Sequence, residues 1–263
     1  MIATAADGTR LHYIVEGSGP PIVLVGGKTS TIAGAWWRYI TPLSRQLKVI
    51  ALDNRGAGES DKPDQPYTTE LMARDALTVL ADAGEESAHW FGLSLGGMVL
   101  QQLALQQPGA VRSLILAATR CSRERAAAIH IEDVAQLAGN PLRRYASLYD
   151  PRFIIEHGDW VEADARHFGK MPLHAIVRQD QAGNQHDICD RLRGITQPVL
   201  ILHGRQDRTV PLSSGEELAR RLPNARLEIL DPAGHQVHSE QFARVLQLVV
   251  DFVAQVEAKR RAS

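Results

Sequence analysis

The strongest constraint on the fold is an alternation of short apolar runs with longer segments of helical period. Five runs are apolar almost throughout, as expected for strands buried on both faces. They are Pro20–Gly27, Lys48–Gly56, Ser87–Gly92, Val111–Ala118 and Pro198–Gly204, and Ala225–Asp231 adds a further strand. Apolar residues recur at spacings of three and four in the helical segments Met72–Ala83 and Phe242–Val256. This pattern predicts an α/β fold with a mostly parallel central sheet and helices on both faces.

Two stretches depart from the alternation. Thr9–Gly17 is more polar and alternates in hydrophobicity, which predicts an outer, antiparallel strand. From Cys121 to Gly194 no clear apolar strand is present, and the segments Ile129–Gly139 and Pro141–Tyr149 have a helical pattern. We therefore predict a core formed by residues 1–120 and 194–263, with residues 121–193 inserted as a small helical cap, or lid, over the sheet's C-terminal edge.

The overall charge argues against two classes of partner. The 263 residues carry 29 basic and 30 acidic side chains, for a formal net charge of -1. This balance lacks the basic footprint of a protein that binds nucleic acid or an anionic membrane surface. The start of the chain lacks a signal-peptide pattern, and no apolar run approaches the roughly 20 residues of a membrane span. We expect a small-molecule substrate and no nucleic-acid or membrane partner, while a homodimer stays open.

Cysteine and histidine usage bears on compartment and metal binding. Cys121 and Cys189 are the only two cysteines. Two thiols in a chain of this length fit a reducing compartment, so we expect free thiols and a cytoplasmic protein, with a bridge as the alternative. His167, His174 and His186 lack the compact spacing of metal ligands, and no phosphate-binding glycine loop is present. We therefore expect neither a metal nor a cofactor.

A serine stands where the third strand-like run gives way to a helical segment. Residues 92–96 read GLSLG, which matches G-x-S-x-G, the nucleophile elbow. A serine on so sharp a turn needs small neighbours, and Gly92, Gly96 and Gly97 provide them. The motif predicts that Ser94 is a nucleophile, and the alternative is a small residue at a tight turn.

Such a serine needs a base, and a carboxylate to orient that base. The chain has ten histidines, so position must select among them. His235 follows the last strand, whereas His238 is expected in the first turn of the final helix, pointing away. Asp207 follows the strand Pro198–Gly204 at the same sheet edge. We predict His235 as the base and Asp207 as its orienting acid, although an aspartate in this loop could simply cap a turn.

Four motifs in order carry a resemblance to the α/β-hydrolase family. They are DNRGAGES at 53–60, GLSLGG at 92–97, GRQDRTVP at 204–211 and AGH at 233–235. The resemblance covers almost the whole chain and implies a Ser94–His235–Asp207 triad. It also implies that Asp53, Arg55 and Ser60 are scaffold residues that tie loops to the sheet.

One loop departs from the family pattern. Gly26-Gly27-Lys28 stands where the family usually has His-Gly, and it resembles the loop of methylesterases from aromatic polyketide pathways. The resemblance implies that the backbone N–H groups of Lys28 and Leu95 form an oxyanion hole. The Lys28 side chain is expected to reach solvent or to meet an acidic group of the substrate.

A pair of tryptophans follows this loop soon afterwards. Trp36 and Trp37 are candidates for lining the substrate pocket. The competing interpretation is that one of them packs under the loop as part of the core.

The resemblance also narrows the chemistry. The elbow carries serine rather than aspartate, so the resemblance to haloalkane dehalogenases and epoxide hydrolases fails at the nucleophile. It implies hydrolysis of a small-molecule carboxylic ester, lactone or thioester through an acyl-enzyme on Ser94. The chain resembles small-molecule esterases and enol-lactonases more than lipases. Hydrolysis of a carbon–carbon bond, which other serine members of the family carry out, is a less favoured activity. A thioesterase for carrier-bound acyl chains and a non-catalytic small-molecule receptor stay open as alternatives.

Overall fold

The computed structural model describes residues 1–122, 145–166 and 171–262, and its centre is an eight-stranded sheet in the order β1-β2-β4-β3-β5-β6-β7-β8. The strands are β1 (Ile2–Thr4), β2 (Arg10–Glu16), β3 (Pro21–Val25), β4 (Lys48–Leu52), β5 (Ala88–Leu93), β6 (Val111–Ala117), β7 (Val199–Gly204) and β8 (Ala225–Leu230). Strands β3 to β8 pair in parallel, and β2 is antiparallel to both β1 and β4. The mostly parallel sheet and the antiparallel outer strand are confirmed, whereas β1 was not predicted.

Helices cover the sheet and connect the end of each parallel strand to the start of the next one. Those in the described residues are α1 (Trp37–Ser44), α2 (Thr69–Asp82), α3 (Leu95–Gln106), α4 (Pro151–Glu156), α5 (Gly158–Arg166), α6 (Leu173–Gln185), α7 (Leu212–Arg221), α8 (Val237–Glu240) and α9 (Phe242–Ala262). A short π-helical segment, Ile32–Trp36, precedes α1, and a 3₁₀ segment, Cys189–Gly194, precedes β7. In the part of the chain that the structure describes, no helix combines the length and apolarity needed to cross a membrane.

The core forms two apolar layers, one on each face of the sheet. Neighbouring residues of β5 illustrate this, since Trp90 packs in the layer that includes α2 and α3, and Phe91 packs in the layer that includes α1 and α9. Both side chains are fully buried. Successive side chains of a strand point to opposite faces, so a strand covered on both sides must be apolar at every position. This explains the continuous apolar runs in the sequence.

The segment between β6 and β7 contains α4, α5 and α6. Ile129–Gly139, which has a helical pattern, lies outside the described residues, and only the last part of Pro141–Tyr149 lies within them. The division into a core and a cap of residues 121–193 therefore stays a prediction. In the described part of this segment, helix α6 packs near the start of α3, because a Cβ atom at Gly183 would lie 3.5 Å from Leu95 Cδ1.

Cys121 and Cys189 form a disulfide, with their Cα atoms 5.0 Å apart. The expectation of free thiols is therefore wrong, and the alternative that was kept open is the one observed. The physical reason is that the chain leaving β6 passes beside the 3₁₀ segment before β7, where the Ile188 N–H donates to the Cys121 carbonyl at 2.9 Å. The bridge thus joins the two ends of the segment between β6 and β7.

We expect Cys121→Ser to lower the free energy of unfolding by about 2 to 4 kcal/mol, because a bridge restricts the unfolded chain. The loop closed by this bridge is long, with a sequence separation of 68. Urea unfolding of the oxidised proteins measures the difference. Dithiothreitol should lower the midpoint of the unmodified protein and leave that of Cys121→Ser where it is. Equal midpoints for the two oxidised proteins would contradict a stabilising bridge.

Candidate active site

Ser94 occupies a strained turn between β5 and α3. Its backbone has φ 51° and ψ -113°, a left-handed conformation that is unfavourable for a residue with a side chain. The turn is closed so tightly that a Cβ atom at Gly96 would collide with the Val25 carbonyl oxygen, and one at Gly92 would lie 2.7 Å from the Gly96 backbone. The Ser94 N–H donates to the Ala117 carbonyl of β6 at 2.8 Å. Glycine at both flanking positions therefore permits this conformation.

The structure brings the three residues of the predicted triad together. His235 Nε2 lies 3.1 Å from Ser94 Oγ, and His235 Nδ1 lies 2.8 Å from Asp207 Oδ2. Asp207 Oδ1 accepts the N–H groups of Thr209 and Val210 at 2.9 and 2.8 Å. An ionised carboxylate only accepts, so the proton of a neutral His235 sits on Nδ1 and Nε2 is free to accept from the serine hydroxyl. The three residues follow the C-terminal ends of β5, β7 and β8.

The histidine loop is held by the segment between β6 and β7. The His235 N–H donates to the Leu148 carbonyl at 2.8 Å. The carboxylate of Glu240 accepts the N–H of Gly234 at 2.9 Å and that of Asp150 at 2.8 Å. Burial raises the pKa of Glu240 to about 7, although these two hydrogen bonds act in the opposite direction. Glu240 was missed in the sequence, because a glutamate in this position is indistinguishable from a solvated helix residue.

His238, the rival base, is built into the core. It belongs to the separate short helix α8 rather than to the final helix α9, which corrects the predicted placement. Its ring centroid lies 5.6 Å from that of Trp36 and 6.1 Å from that of Tyr39. Burial lowers the pKa of His238 to about 4, so the ring stays neutral near pH 7. The hydrogen bond to Asp207 is made by His235.

The loop after β3 runs directly against the elbow. A Cβ atom at Gly27 would lie 3.3 Å from both the Leu93 carbonyl oxygen and Ser94 Cβ, so a larger residue would press on the nucleophile. Lys28 follows at once. The Leu95 N–H is at the first position of α3, where a helix offers no intrahelical acceptor. Both residues implied to form the oxyanion hole are thus adjacent to the elbow.

The turn at 53–60 holds this loop at both ends. Asn54 Nδ2 donates to the Gly26 carbonyl at 2.9 Å, and Asp53 Oδ1 accepts the N–H of Ile32 at 2.8 Å. The Ser60 hydroxyl donates to the Asp53 carbonyl at 2.6 Å, which closes the turn. These hydrogen bonds are consistent with a scaffold role for the turn, because they hold the loop that follows β3 at Gly26 and at Ile32.

Arg55 anchors the same turn to the rest of the core. Its side chain is fully buried and binds the carboxylates of Asp75 and, at 2.9 Å, Asp7. Burial acts to lower the pKa of Arg55, but its bonds to the two carboxylates outweigh burial and raise the pKa above its ordinary value. The guanidinium therefore stays charged, and its role is structural.

The Lys28 side chain makes a contact that was not expected. Its Nζ lies 2.6 Å from Asp180 Oδ1 on α6, with the two side chains 36% and 47% exposed. Lys28 therefore neither extends freely into solvent nor presents an unpaired charge to a substrate. Nothing in the sequence pointed to Asp180, because the two residues are 152 positions apart.

The two tryptophans have different environments. Trp36 is fully buried against Phe91, with ring centroids 4.9 Å apart, and its Nε1 would lie 3.8 Å from a Cβ atom at Gly26. Trp36 therefore corresponds to the interpretation of a core residue under the loop. Trp37 is 41% exposed and stacks on the Arg38 guanidinium, 4.0 Å from its ring centroid. It borders a small cavity whose lining does not include Ser94.

Two of the histidines considered as metal ligands make hydrogen-bond contacts instead. His174 Nε2 donates to the Lys62 carbonyl at 2.9 Å, and His186 Nδ1 lies 3.0 Å from Thr69 Oγ1. His167 lies outside the described residues. Within residues 1–122, 145–166 and 171–262, no three side chains of histidine, cysteine, aspartate or glutamate are grouped to hold a metal ion.

Comparison with known proteins identifies the family. Residues 18–248 match the Alpha/beta hydrolase family, and the chain belongs to it. The chain is 33% identical over 261 residues to "Putative carbamate hydrolase RutD" of Variovorax paradoxus (strain S110), covering 94% of this chain and 97% of that protein. It is 23% identical over 265 residues to 3-oxoadipate enol-lactonase 1 of Acinetobacter baylyi, covering 98% of each chain.

A solved structure with the same architecture is that of a thermophilic esterase from Thermogutta terrifontis, with malate bound. Its TM-score is 0.85 at 25% identity, covering 97% of this chain and 98% of that one. The names of these three relatives describe hydrolases, which supports a hydrolase activity for this chain.

Glu240 gives the site a pH-dependent stability that a substitution should remove. With a folded-state pKa of about 7 against an ordinary value of 4.5, the folded protein binds more protons than the unfolded chain in this window. Stability from this group is therefore present at low pH and lost as pH rises through the window. Wild type should therefore be more stable than Glu240→Gln at low pH. We expect this difference in the free energy of unfolding to shrink by about 2 to 3 kcal/mol between pH 4.5 and pH 7.

Urea unfolding at a series of pH values measures this difference. Groups that do not interact with Glu240 are the same in both proteins, so their contributions cancel from the difference. A difference that stays constant over the whole range would contradict the raised pKa.

Proposed function

We propose that the chain is a serine hydrolase that cleaves a small-molecule carboxylic ester or lactone through an acyl-enzyme on Ser94. The observation that carries this proposal is the hydrogen-bonded series from Ser94 Oγ to His235 Nε2, at 3.1 Å, and from His235 Nδ1 to Asp207 Oδ2, at 2.8 Å. A nucleophile, a base within reach of it, and a group that orients the base are the three requirements of this chemistry. They also favour an enzyme over a non-catalytic receptor.

In the proposed reaction, Ser94 Oγ attacks the carbonyl carbon while His235 Nε2 takes the hydroxyl proton. The resulting imidazolium is stabilised by Asp207, which stays ionised. His235 then gives the proton to the departing alkoxide, and the acyl group remains on Ser94. Water, deprotonated in turn by His235, attacks the acyl carbon; the bond to Ser94 Oγ then breaks, His235 returns the proton to Oγ, and the carboxylic acid leaves. For a lactone, the leaving alkoxide and the acid belong to the same product.

The negative oxygen formed in each attack needs donors that are already in position. We assign this role to the backbone N–H groups of Lys28 and Leu95. The closeness of Gly27 to Ser94 and the position of Leu95 at the start of α3 support the assignment. Donors fixed before the reaction stabilise the developing charge without reorganisation, and loss of one typically costs about 10²- to 10³-fold in kcat.

The inserted segment is proposed to act as a cap over the site, which would determine which substrates enter. Helix α6 supports this, because Gly183 lies close to the side chain of Leu95. Asp180 neutralises the Lys28 ammonium, so selectivity for acidic substrates is not part of the proposed function. A substrate-binding role for Trp36 is disfavoured by its complete burial.

A carbamate is the second candidate substrate class. The relative with 33% identity is named as a carbamate hydrolase, whereas the others quoted are named as an enol-lactonase and an esterase. All three substrate classes place a heteroatom leaving group on a carbonyl carbon, which is what Ser94 would attack. A side-by-side panel of esters, lactones, carbamates and acyl thioesters separates them. Turnover of acyl thioesters alone would favour the thioesterase alternative.

The proposal concerns one active site in each chain, and a homodimer is not required by it. The cytoplasmic location expected from two free thiols loses that support, because the cysteines are bridged in the structure.

Replacing the nucleophile tests the proposal most directly. We expect Ser94→Ala to abolish hydrolysis of a short p-nitrophenyl ester and to prevent covalent labelling by a serine-directed phosphonate. The reason is that no other group replaces the Oγ atom that forms the acyl-enzyme. Labelling is followed by mass spectrometry and folding by circular dichroism. Unchanged turnover in a folded Ser94→Ala protein would reject the nucleophile assignment.

Two histidines three residues apart provide a matched test of the base. We expect His235→Gln to lower kcat by several orders of magnitude, and Asp207→Asn by about 10⁴-fold, because each removes a group that the proton transfer needs. His238→Gln should leave kcat within about tenfold, because its ring packs on Trp36 and Tyr39 instead. Steady-state kinetics on the ester measures all three, and a larger loss in His238→Gln than in His235→Gln would reverse the assignment.

A further inference from the structure

We infer that Gln179 is a positioning residue that holds the Lys28 N–H of the oxyanion hole in its working orientation. This inference rests on the proposed function. Gln179 belongs to α6 and is fully buried, although it is a polar residue in the inserted segment. Its Oε1 accepts the Thr29 N–H at 2.8 Å, and its Nε2 donates to the Arg55 carbonyl at 2.9 Å. One side chain therefore joins α6, the oxyanion loop and the turn at 53–60.

Both polar atoms of the Gln179 amide, Oε1 and Nε2, form hydrogen bonds. A buried amide that leaves an atom unpaired costs free energy, and so does a backbone group that loses its partner. Here the amide satisfies one backbone donor and one backbone acceptor, so its removal would leave two buried backbone groups unpaired.

The contact lies next to the backbone that matters for catalysis. Two peptide planes meet at Lys28. In the first, which carries the Lys28 N–H, the Gly27 carbonyl accepts from the Ser30 N–H at 3.2 Å. In the second, the Lys28 carbonyl accepts from the Thr29 hydroxyl at 2.6 Å, and the Thr29 N–H donates to Gln179. Of these three contacts, only that of Gln179 comes from outside the loop.

The second plane needs an outside partner because its conformation is strained. Thr29 has φ 62°, which is a rare value for a β-branched residue. A flip of the plane between Lys28 and Thr29 would change that φ by roughly half a turn and return Thr29 to the extended region. The flip would also break the bond from the Thr29 N–H to Gln179. Gln179 therefore favours the strained arrangement, and it fixes the peptide plane that directly follows the one carrying the Lys28 N–H.

Helix α6 contacts the loop at the neighbouring residue as well, since Asp180 pairs with Lys28 Nζ at 2.6 Å. Both side chains of this pair are more than a third exposed, and such ion pairs contribute little. The buried amide of Gln179 is therefore the contact expected to matter. It makes the oxyanion loop depend on the docking of α6.

Two substitutions and one control test the inference. Gln179→Leu keeps the size of the side chain and removes both hydrogen bonds. Gln179→Glu keeps an acceptor for Thr29, and only its protonated form can also donate to the Arg55 carbonyl. Arg178→Ala removes the ion pair between α6 and Asp64, where Arg178 Nη2 lies 3.0 Å from Oδ1, and it leaves the loop untouched.

We expect Gln179→Leu to lower kcat on the p-nitrophenyl ester by about 10- to 100-fold with little change in KM, because the donor acts mainly in the transition state. The kcat of Gln179→Glu, divided by that of wild type at the same pH, should rise as pH falls from about 8 to about 6, because burial favours protonation of the carboxyl group. For Gln179→Leu this ratio should stay flat, and Arg178→Ala should match wild type. Circular dichroism of each variant at both pH values separates this rescue from the refolding of a destabilised protein.

Hydrogen exchange at the Thr29 amide gives a readout that does not need activity. We expect faster exchange in Gln179→Leu than in Arg178→Ala, because only Gln179→Leu removes the acceptor of the Thr29 N–H. The inference is overturned if Gln179→Leu keeps its kcat, if the loss appears only in KM, or if Thr29 exchange is unchanged. Failure of the phosphonate to label wild-type Ser94 would instead reject the proposed function, and the exchange result would still test the contact.

Discussion

The strained turn at Ser94 is the constraint on which the site depends. A left-handed serine between a strand and a helix points its hydroxyl away from the sheet and leaves the first N–H groups of α3 free. The conformation survives because the backbone packs where side chains would otherwise be, with Gly92 against Gly96 and Gly96 against Val25. Strand β5 pairs in parallel with β3 on one side and β6 on the other, so its end is held from both sides.

The sheet also explains how distant residues meet. In a parallel sheet all strands end at one edge, and the loops that leave this edge lie side by side. Asp207 and His235 therefore lie close to Ser94 although they come from β7 and β8, which are separate in sequence from β5. The Asp207 carboxylate faces His235 Nδ1 and can only accept there, which sets the orientation of the ring. The orientation of the base is a consequence of strand order.

This is why much of the site could be predicted from the sequence. Apolar runs place the strands, strand ends place the loops, and the chemistry of serine, histidine and aspartate selects Ser94, His235 and Asp207 within them. The prediction fails where partners are set by tertiary packing in a segment without a periodic pattern. The Cys121–Cys189 bridge depends on how the inserted segment returns to the sheet. Gln179 offers no local signal at all, because a glutamine in an amphipathic helix is usually solvated.

The segment between β6 and β7 is tied to the rest of the chain by buried polar groups. Asp164 of α5 is almost fully buried and accepts hydrogen bonds from Arg38, from Ser239 and, at 2.7 Å, from the Tyr149 hydroxyl. Such groups are costly to bury unless every one is paired, so they penalise any displaced arrangement of the segment more steeply than apolar packing does.

Buried polar groups also hold the loops at the C-terminal edge of the sheet, where Ser94 lies. Glu240 holds Gly234, next to the base, and Gln179 holds Thr29, next to the implied oxyanion donor. Each uses a buried acceptor to fix one backbone N–H beside a reacting group. The strain at Thr29 is thereby balanced by a contact that exists only when the segment between β6 and β7 is docked. We therefore expect the proposed site to lose its precise geometry when the contact between Gln179 and Thr29 is removed.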